Sequence, residues 1–242
     1  ADMDALVPLA EEHGIHLVED NAQSLGAVWT GPHIQGPAGM LGAMGTTSFF
    51  PSKNLGALGD GGAVMTRDTD LAARVRRLSN HGAERKYHHL ELGFNSRLDG
   101  LQAALLNVKL THWEDTLARR RAAAARYDAL LDDVAFTDVI RPARAAHSTH
   151  TFHQYCILLP VGTDRTAFQQ AMKDAGIPTA VYYPTPLSSQ PAFAETARTV
   201  GQGTPVAHDV AGRILALPMH TELTEAMQAR VVAELFRLLP SA

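Results

Sequence analysis

The stretch FFPSKNLGALGDGGAVMT, residues 49–66, constrains the fold most, because it sets a single lysine between two apolar runs. Residues 46–50 and 62–66 have the composition of short buried strands. Glycine follows Lys53 at positions 56, 59, 61 and 62. Because glycine permits positive φ and lets the backbone approach a ligand closely, the stretch predicts two strands joined by a tight loop.

Two interpretations of Lys53 fit this stretch. A lysine in a hairpin turn is a common solvated charge. A lysine held in an apolar pocket has a lowered pKa, which makes its amine a usable nucleophile and suits it to Schiff-base chemistry. Phe49 and Phe50 before Lys53 favour a pocket, but the stretch alone leaves both interpretations open.

Composition and charge bound the class of protein. The 242 residues are 45% hydrophobic, which is enough apolar material for one large domain or two smaller ones. A formal net charge of −4 gives no reason to expect a nucleic-acid or membrane-surface partner. No apolar run approaches the ~20 residues that a membrane-spanning helix needs. Cys156 is the single cysteine and cannot form a disulfide within the chain, which predicts a reduced, cytoplasmic setting.

The 12 histidines are a candidate metal-ligand set. The densest groups are His88–His89 and the histidines at 147, 150 and 153. No cysteine pair or HExxH pattern accompanies them, so we expect surface or helix-end histidines and no metal site.

Hydrophobic periodicity and capping signals predict alternating helices and strands. In the first part of the chain, the predicted helices are 2–13, 68–82 and 98–133, the last with an interruption near 111–115. The predicted strands there are 15–20, 46–50 and 62–66, with a loop at 31–45 and an irregular stretch at 83–97. In the last part, the predicted strands are 154–160 and 179–184, and the predicted helices are 163–176, 187–199, 204–213 and 222–239.

These elements suggest an incomplete α/β domain followed by a smaller unit. A parallel strand needs neighbours on both sides and helices on both faces, and three strands in the first 66 residues make a thin sheet. We therefore interpret 1–115 as the C-terminal portion of a large domain whose front half is absent. Residues 116–144 are interpreted as a connecting helix and linker, and 145–242 as a small α+β domain.

Three polar residues lie near the predicted strand ends. Asp20 closes the strand at 15–20, and open α/β sheets bind ligands at the carboxyl ends of their strands. Its carboxylate could pair with a protonated ring nitrogen, as in pyridoxal phosphate chemistry. Gln23 could donate to a ring oxygen, and the Ser48 hydroxyl could hold a phosphate. Each also has a plainer interpretation: a loop acid or helix cap, a surface amide, and a buried serine bonded to backbone.

Five stretches together resemble the DegT/StrS-type family of pyridoxal-phosphate-dependent sugar aminotransferases. In chain order they are LVEDNAQSLGA, TTSFFPSKNLGALGDGGAV, HGAERKYHHLELGFNSRLDGLQAALL with its Gly-x-Asn-x-Arg pattern, GIPTAVYYPTPLSSQPAF and LALPMHTELT. They span almost the whole chain. The resemblance implies an α/β protein of aspartate aminotransferase fold type I. Here it would comprise a partial large cofactor-binding domain, with a mixed and mostly parallel sheet, and a small α+β C-terminal domain.

The resemblance implies a set of contacts to pyridoxal 5′-phosphate. Lys53 would form the Schiff base with the cofactor and then shuttle the proton in transamination. Asp20 would pair with the pyridine nitrogen, Gln23 would contact the ring hydroxyl, and Ser48 would bind the phosphate. A related branch, the sugar dehydratases, has histidine in place of this lysine, so Lys53 favours transamination.

The resemblance also implies a homodimer with shared active sites. Asn95 would reach the phosphate of the neighbouring subunit's cofactor, and Arg97 would lie near the same site. Tyr183 and His220 fall in matching segments and would approach the substrate.

Three functions are compatible with these residues. The first is an aminotransferase that moves an amino group from an amino acid, glutamate, to a nucleotide-linked keto sugar by a ping-pong reaction. The second is a truncated, non-catalytic relative that acts as an interaction module or needs a missing N-terminal segment. The third, a phosphate-binding protein with a glycine loop, is weaker because the loop lacks GxxxxGK[ST].

Overall fold

A computed structural model describes residues 1–132, 138–196 and 198–239. These residues form two compact units, one within 1–118 and 144–153 and the other within 119–143 and 154–242. The boundaries that we predict from the sequence, 1–115, 116–144 and 145–242, stay a prediction. Within the described ranges, no helix has both the length and the apolar character needed to cross a bilayer.

The first unit contains most of the strands. Its helices are α1 (Met3–Glu12), α2 (Thr69–Ser79) and α3 (Gly100–Leu110), and α4 (Trp113–Asp132) begins in this unit and ends in the second. Its strands are β1 (Val18–Asp20), β2 (Val28–Thr30), β3 (Gln35–Pro37), β4 (Met44–Ser48), β5 (Gly62–Met65), β6 (Ala83–Arg85), β7 (His88–His89) and β8 (Ser148–Thr149).

The central sheet of this unit is mixed and has the order β1-β4-β5. β1 runs parallel to β4, with Asp20 opposite Thr46. β4 runs antiparallel to β5, with Ser48 opposite Gly62. The predicted strands 15–20, 46–50 and 62–66 are therefore present with shifted ends, and all three belong to one sheet.

Side-chain caps fix where two helices begin. The Asp2 carboxylate accepts a hydrogen bond from the N–H of Ala5 and starts α1. The Asp68 carboxylate accepts from the N–H groups of Asp70 and Leu71 and starts α2. α2 ends at Ser79, three residues before the predicted end at Gly82.

Two stretches predicted to lack regular structure contain short strands. Within the predicted loop 31–45, β3 pairs with β2, and β2 pairs on its other side with β8. Within the predicted irregular stretch 83–97, β6 and β7 form a small hairpin. These strands are two or three residues long, too short for a period of two to be visible in the sequence.

The second unit is built on two antiparallel strands, β9 (Tyr155–Leu158) and β10 (Ile214–Leu217). Ile157 and Leu215 of this pair are fully buried. Its remaining elements are the end of α4, α5 (Arg165–Asp174), α6 (Pro205–Arg213), α7 (Glu225–Leu238) and the 3-10 turns Leu187–Ser189 and Pro191–Phe193. α5 packs against α7 and β10.

Two predictions for the second unit are wrong. The predicted strand 179–184 is reduced to an isolated bridge between Ala180 and Ala216. The predicted helix 187–199 is replaced, among its described residues, by the two 3-10 turns, each with an extended residue or proline at its start. Pro191 lacks the N–H group that a continuous helix over 187–199 needs, which explains the second error.

Candidate active site

Asp20 and Ser48 end two neighbouring parallel strands. Asp20 is the last residue of β1 and lies opposite Thr46, two residues before Ser48 at the end of β4. Parallel strands bring their carboxyl ends to the same edge of a sheet, and ligands of open α/β sheets bind at that edge. The two residues singled out in the sequence therefore belong to one edge of the central sheet.

Lys53 lies in the loop that follows β4. Its N–H donates to the carbonyl of Phe50 at 2.8 Å, which closes a turn directly before the lysine side chain. The N–H of Phe49 donates to the carbonyl of Gly61 and the N–H of Ala57 to the carbonyl of Phe49, at 2.8 and 2.7 Å. The loop is thus folded back on the end of its own strand.

Packing beneath the loop holds it in place. Leu55 and Ala57 are buried with Leu106 of α3 in a small apolar cluster. The Lys109 ammonium donates to the carbonyl of Gly56, and a side chain at Gly56 would meet the carbonyl oxygen of Pro51 at 2.3 Å. This close backbone approach explains why glycine occupies position 56.

The amine of Lys53 is available for chemistry. The residue is half-buried, and across the described parts of the chain its Nζ has no hydrogen-bonded or ion-paired partner. The other lysine of this region, Lys109, has its Nζ occupied by the Gly56 carbonyl. A half-buried amine without a partner among the described residues has the accessibility that a nucleophilic lysine requires.

Asn21 fixes the turn after β1 and was missed in the sequence. It is fully buried, and its backbone N–H donates to the carbonyl of Thr46 at 2.7 Å. Its side-chain oxygen accepts from the Ser24 hydroxyl at 2.5 Å. Asp20, directly before it, and Gln23, two residues after it, are exposed. Asp20 Oδ1 accepts from the N–H of Ala22 at 3.0 Å. An asparagine directly after a strand, with serine three residues later, is the local signal for such a turn.

Glu19 is a second residue that the sequence reasoning missed. Its Oε1 accepts from the N–H groups of Leu41 and Gly42 at 2.6 and 2.8 Å, and its Oε2 accepts from the N–H of Gly39 at 2.8 Å. Successive side chains alternate across a strand, so Glu19 and Asp20 face opposite sides of the sheet. One of the two acids of LVED therefore orders the loop before β4, and the other stays exposed.

Asn95 and Arg97 lie together beside β5. Arg97 Nε donates to Asn95 Oδ1 at 3.2 Å, and Asn95 forms a backbone bridge with Asn80. Both side chains are exposed and line an open groove formed by β5, the end of α2 and residues 94–98. Asp20, Ser48 and Lys53 do not line this groove, so these two residues form a separate polar surface of the same unit.

Tyr183 and His220 belong to the second unit, and both are exposed. The Tyr182 and Tyr183 rings meet edge to face at 5.8 Å, and His220 Nδ1 accepts from the N–H of Glu222 at 3.2 Å. The roles predicted for these two residues stay predictions. Within 1–132, 138–196 and 198–239, no group of three or more His, Cys, Asp or Glu side chains could hold a metal ion.

The sequence matches the DegT/DnrJ/EryC1/StrS aminotransferase family over residues 1–236. The chain belongs to this family. It is 44% identical over 240 residues to the "pleiotropic regulatory protein" of Geobacillus stearothermophilus, covering 98% of this chain and 62% of that protein. It is 41% identical over 226 residues to the UDP-2-acetamido-2-deoxy-3-oxo-D-glucuronate aminotransferase of Pseudomonas aeruginosa, covering 93% of this chain and 59% of that protein.

Solved structures of the DegT/DnrJ/EryC1/StrS family have the same fold. An aminotransferase of this family from Brucella abortus is 36% identical, with a TM-score of 0.88 over 98% of this chain and 61% of that one. The family and the fold class predicted from the sequence, a partial fold-type-I protein with a mixed sheet, are confirmed. Family members are pyridoxal-phosphate-dependent aminotransferases. The chain spans about 60% of the length of these relatives.

Proposed function

We propose that this chain is part of a pyridoxal-phosphate-dependent aminotransferase that acts on a nucleotide-linked keto sugar. The sheet edge with Asp20, Ser48 and the Lys53 loop would bind the cofactor. The observation that carries the proposal is the parallel pairing of β1 with β4, which gives Asp20 and Ser48 a common edge beside the Lys53 loop. Pyridoxal phosphate has an aldehyde, a protonated ring nitrogen and a phosphate, which an amine, a carboxylate and a hydroxyl respectively can bind.

The hydrogen-bond inventory of these residues fits the cofactor. Asp20 uses Oδ1 for the N–H of Ala22, so Oδ2 remains to accept from a protonated ring nitrogen. The Ser48 Oγ accepts from the N–H of Phe50 at 3.2 Å, so its own hydrogen remains to be donated to a phosphate oxygen. Gln23 would contact the ring hydroxyl. The cofactor, when bound, supplies an electron sink for bonds at the amino carbon.

Lys53 has the central role in this proposal. Its Nζ would hold the cofactor covalently and, once released, would accept the proton from the substrate carbon and return it to the cofactor. The half-burial of the side chain and the apolar packing of the loop that carries it support this role. Asp20 would pair with the ring nitrogen and keep it protonated, which would preserve the capacity of the ring to accept electrons.

The family and its relatives support a choice of substrates. The Pseudomonas aeruginosa relative is named for an oxo-sugar linked to UDP, which supports a nucleotide-linked keto sugar as amino acceptor. We propose glutamate as donor in a ping-pong reaction, and Arg97, Tyr183 and His220 as substrate contacts. A cytoplasmic setting rests on the single cysteine.

We further propose a homodimer in which Asn95 reaches the partner's cofactor phosphate. The segment around Asn95 carries four exposed apolar side chains, with exposed fractions between 61% and 97%: Tyr87, Leu90, Leu92 and Phe94. Apolar side chains clustered on one surface are typical of protein interfaces. The exposed position of Asn95 among them supports a role across that interface.

The chain has four lysines, Lys53, Lys86, Lys109 and Lys173, which makes a labelling experiment decisive. The chain mixed with pyridoxal phosphate should develop the absorption band of lysine-bound cofactor. Borohydride reduction and peptide mass spectrometry should then find the cofactor on Lys53. Lys53→Ala should abolish the label, and Lys173→Ala should retain it. Absence of the band, or a label on another lysine, would overturn the proposal.

The shared site can be tested by complementation. Lys53→Ala protomers cannot be labelled, and Asn95→Ala protomers should be labelled weakly. Unfolding and refolding the two variants together creates mixed dimers in which one site has both Lys53 and Asn95. Labelling of the Asn95→Ala chain should then rise toward the wild-type level. A monomer by sedimentation that binds the cofactor fully would contradict the dimer.

One observation favours the non-catalytic alternative. The relative at 44% identity is named a pleiotropic regulatory protein, and the chain spans about 60% of it. A wild-type chain that folds cooperatively but gives no cofactor band would support an interaction module in place of an enzyme.

A further inference from the structure

Residues 144–153 form a segment that returns to the first unit from far along the sequence. Its strand β8 pairs with β2, and Thr149 Oγ1 accepts from the N–H of Val28 at 2.9 Å. The segment then continues to Thr151, which is only 1% exposed. We call residues 148–153 the return segment.

The backbone of the return segment is fixed at Thr151 by a tight turn. The N–H of Phe152 donates to His150 Nδ1 at 2.8 Å, and Phe152 has φ of 49°, which is uncommon for a residue other than glycine. The His150 and Phe152 rings stack with centroids 4.2 Å apart, and the Arg144 guanidinium lies over the Phe152 ring at 4.1 Å. The two neighbours of Thr151 in sequence, His150 and Phe152, therefore contact each other and fix the backbone at Thr151.

Thr151 bonds to both loops of the candidate site. Its hydroxyl donates to the carbonyl of Gln23 at 3.2 Å, in the turn that follows Asp20. Its own carbonyl accepts from Asn54 Nδ2 at 3.3 Å, next to Lys53. The other atom of the Asn54 amide, Oδ1, meets His153 Nδ1 at 3.3 Å. Both polar ends of the residue after the lysine are thus engaged by the return segment.

We propose that Thr151 is a positioning residue that links the Gln23 turn to the Lys53 loop through the Asn54 side chain. The inference rests on the proposed function, because it concerns how the amine and the ring contacts are kept in register. A buried hydroxyl that bonds one loop while its carbonyl bonds the other transmits the position of each loop to the other. Such a link pre-organises groups that must meet one ligand together.

Three variants test the link. Thr151→Val keeps the size and branching of the side chain and removes the hydroxyl. Thr151→Ser restores the hydroxyl. Thr149→Val makes the same substitution two residues away in the return segment, removes the bond to Val28, and does not touch either loop of the site.

The first readout is amide hydrogen exchange of the protein without cofactor. Thr151→Val should speed exchange in both 21–26 and 53–57, while Thr151→Ser and Thr149→Val should leave both at the wild-type rate. The second readout is pyridoxal phosphate affinity by absorption titration. Thr151→Val should raise the dissociation constant about tenfold, and Thr151→Ser should stay within about twofold of wild type.

The outcomes separate this inference from the proposed function. Unchanged exchange in Thr151→Val, or equal effects of Thr149→Val and Thr151→Val, overturns the link whatever the cofactor does. A wild-type chain without a cofactor band overturns the proposed function, while exchange still decides the link. If Thr151→Val does not fold, Asn54→Ala breaks the link from its other end and should speed exchange in 148–153. Wild-type exchange there in Asn54→Ala would refute it.

Discussion

Glu19 and Gly39 are joined by a hydrogen bond of 2.8 Å from the Gly39 N–H to Glu19 Oε2, and Leu41 and Gly42 donate to the other oxygen. One carboxylate therefore orders the loop between β3 and β4. Glu19→Gln removes the negative charge and replaces one carboxylate oxygen with an N–H₂ group, at a point where three backbone N–H groups converge. We expect it to lower the free energy of unfolding by about 2 kcal/mol, measured by urea denaturation.

The matched control is Glu12→Gln at the exposed end of α1. It should change the free energy of unfolding by no more than about 0.5 kcal/mol. Equal effects of the two substitutions would mean that the Glu19 carboxylate contributes nothing specific.

Gly45 in β4 lies against the same loop, because a side chain there would approach the Gly39 carbonyl oxygen to 2.2 Å. The Gly39 oxygen belongs to the backbone, so it cannot move aside without shifting the loop or β4. Gly45→Ala should destabilise the protein by about 3 kcal/mol. Gly100→Ala, at the start of α3 with open space around it, should be neutral or stabilise by up to about 1 kcal/mol. Thermal unfolding of the two variants side by side would contradict this if they shift the melting temperature alike.

The sequence predicted the strands around Lys53 because their signals are local. Apolar runs, glycines and the end of β1 at Asp20 are visible within 66 residues, and the common edge of Asp20 and Ser48 follows from pairing two such runs. The roles of Asp20, Gln23, Ser48 and Lys53 stay predictions. The family resemblance depends on five stretches in a fixed order along the chain, and no single stretch is specific enough to indicate the family.

The contacts of Thr151 could not be predicted, because they depend on pairings between distant parts of the chain. Thr151 and Gln23 are 128 residues apart in sequence, and Thr151 and Asn54 are 97 apart. The predicted strand at 179–184 is wrong for a related reason: local propensity does not show whether a distant partner strand is available. Val181, Tyr182 and Tyr183 have high strand propensity, but only Ala180 finds a partner, since packing decides pairing.

Gln228 holds the second unit together through a buried amide. It is fully buried; its Nε2 donates to the Ala123 carbonyl at 2.8 Å, and its Oε1 accepts from Arg126 Nε at 2.7 Å. Gln228→Met keeps the shape but leaves a carbonyl and a guanidinium N–H without this partner. We expect a loss of about 2–3 kcal/mol in the free energy of unfolding, measured by urea denaturation. Gln202→Met on the exposed surface should cost less than about 0.5 kcal/mol, and a similar cost for both would contradict the prediction.

Glu91 gives the stability a defined dependence on pH. The hydrogen bond from Arg77 Nε, at 2.7 Å, lowers the pKa of Glu91; burial opposes it, and the charges of Arg77 and Arg74 lower the pKa further. The folded protein therefore binds fewer protons than the unfolded chain just below the ordinary pKa of 4.5. The contribution of Glu91 to stability is complete above pH 4.5 and is lost as the pH falls through the lowered pKa of the folded state.

Glu91→Gln removes this titration. The wild-type free energy of unfolding, followed by urea denaturation from pH 6 down to about pH 3, should fall more steeply below pH 4.5 than that of Glu91→Gln. Glu12→Gln should keep the wild-type slope. Parallel curves for wild type and Glu91→Gln would show that the Arg77–Glu91 pair does not couple to folding, whereas convergence of the two curves at low pH is the result that the geometry predicts.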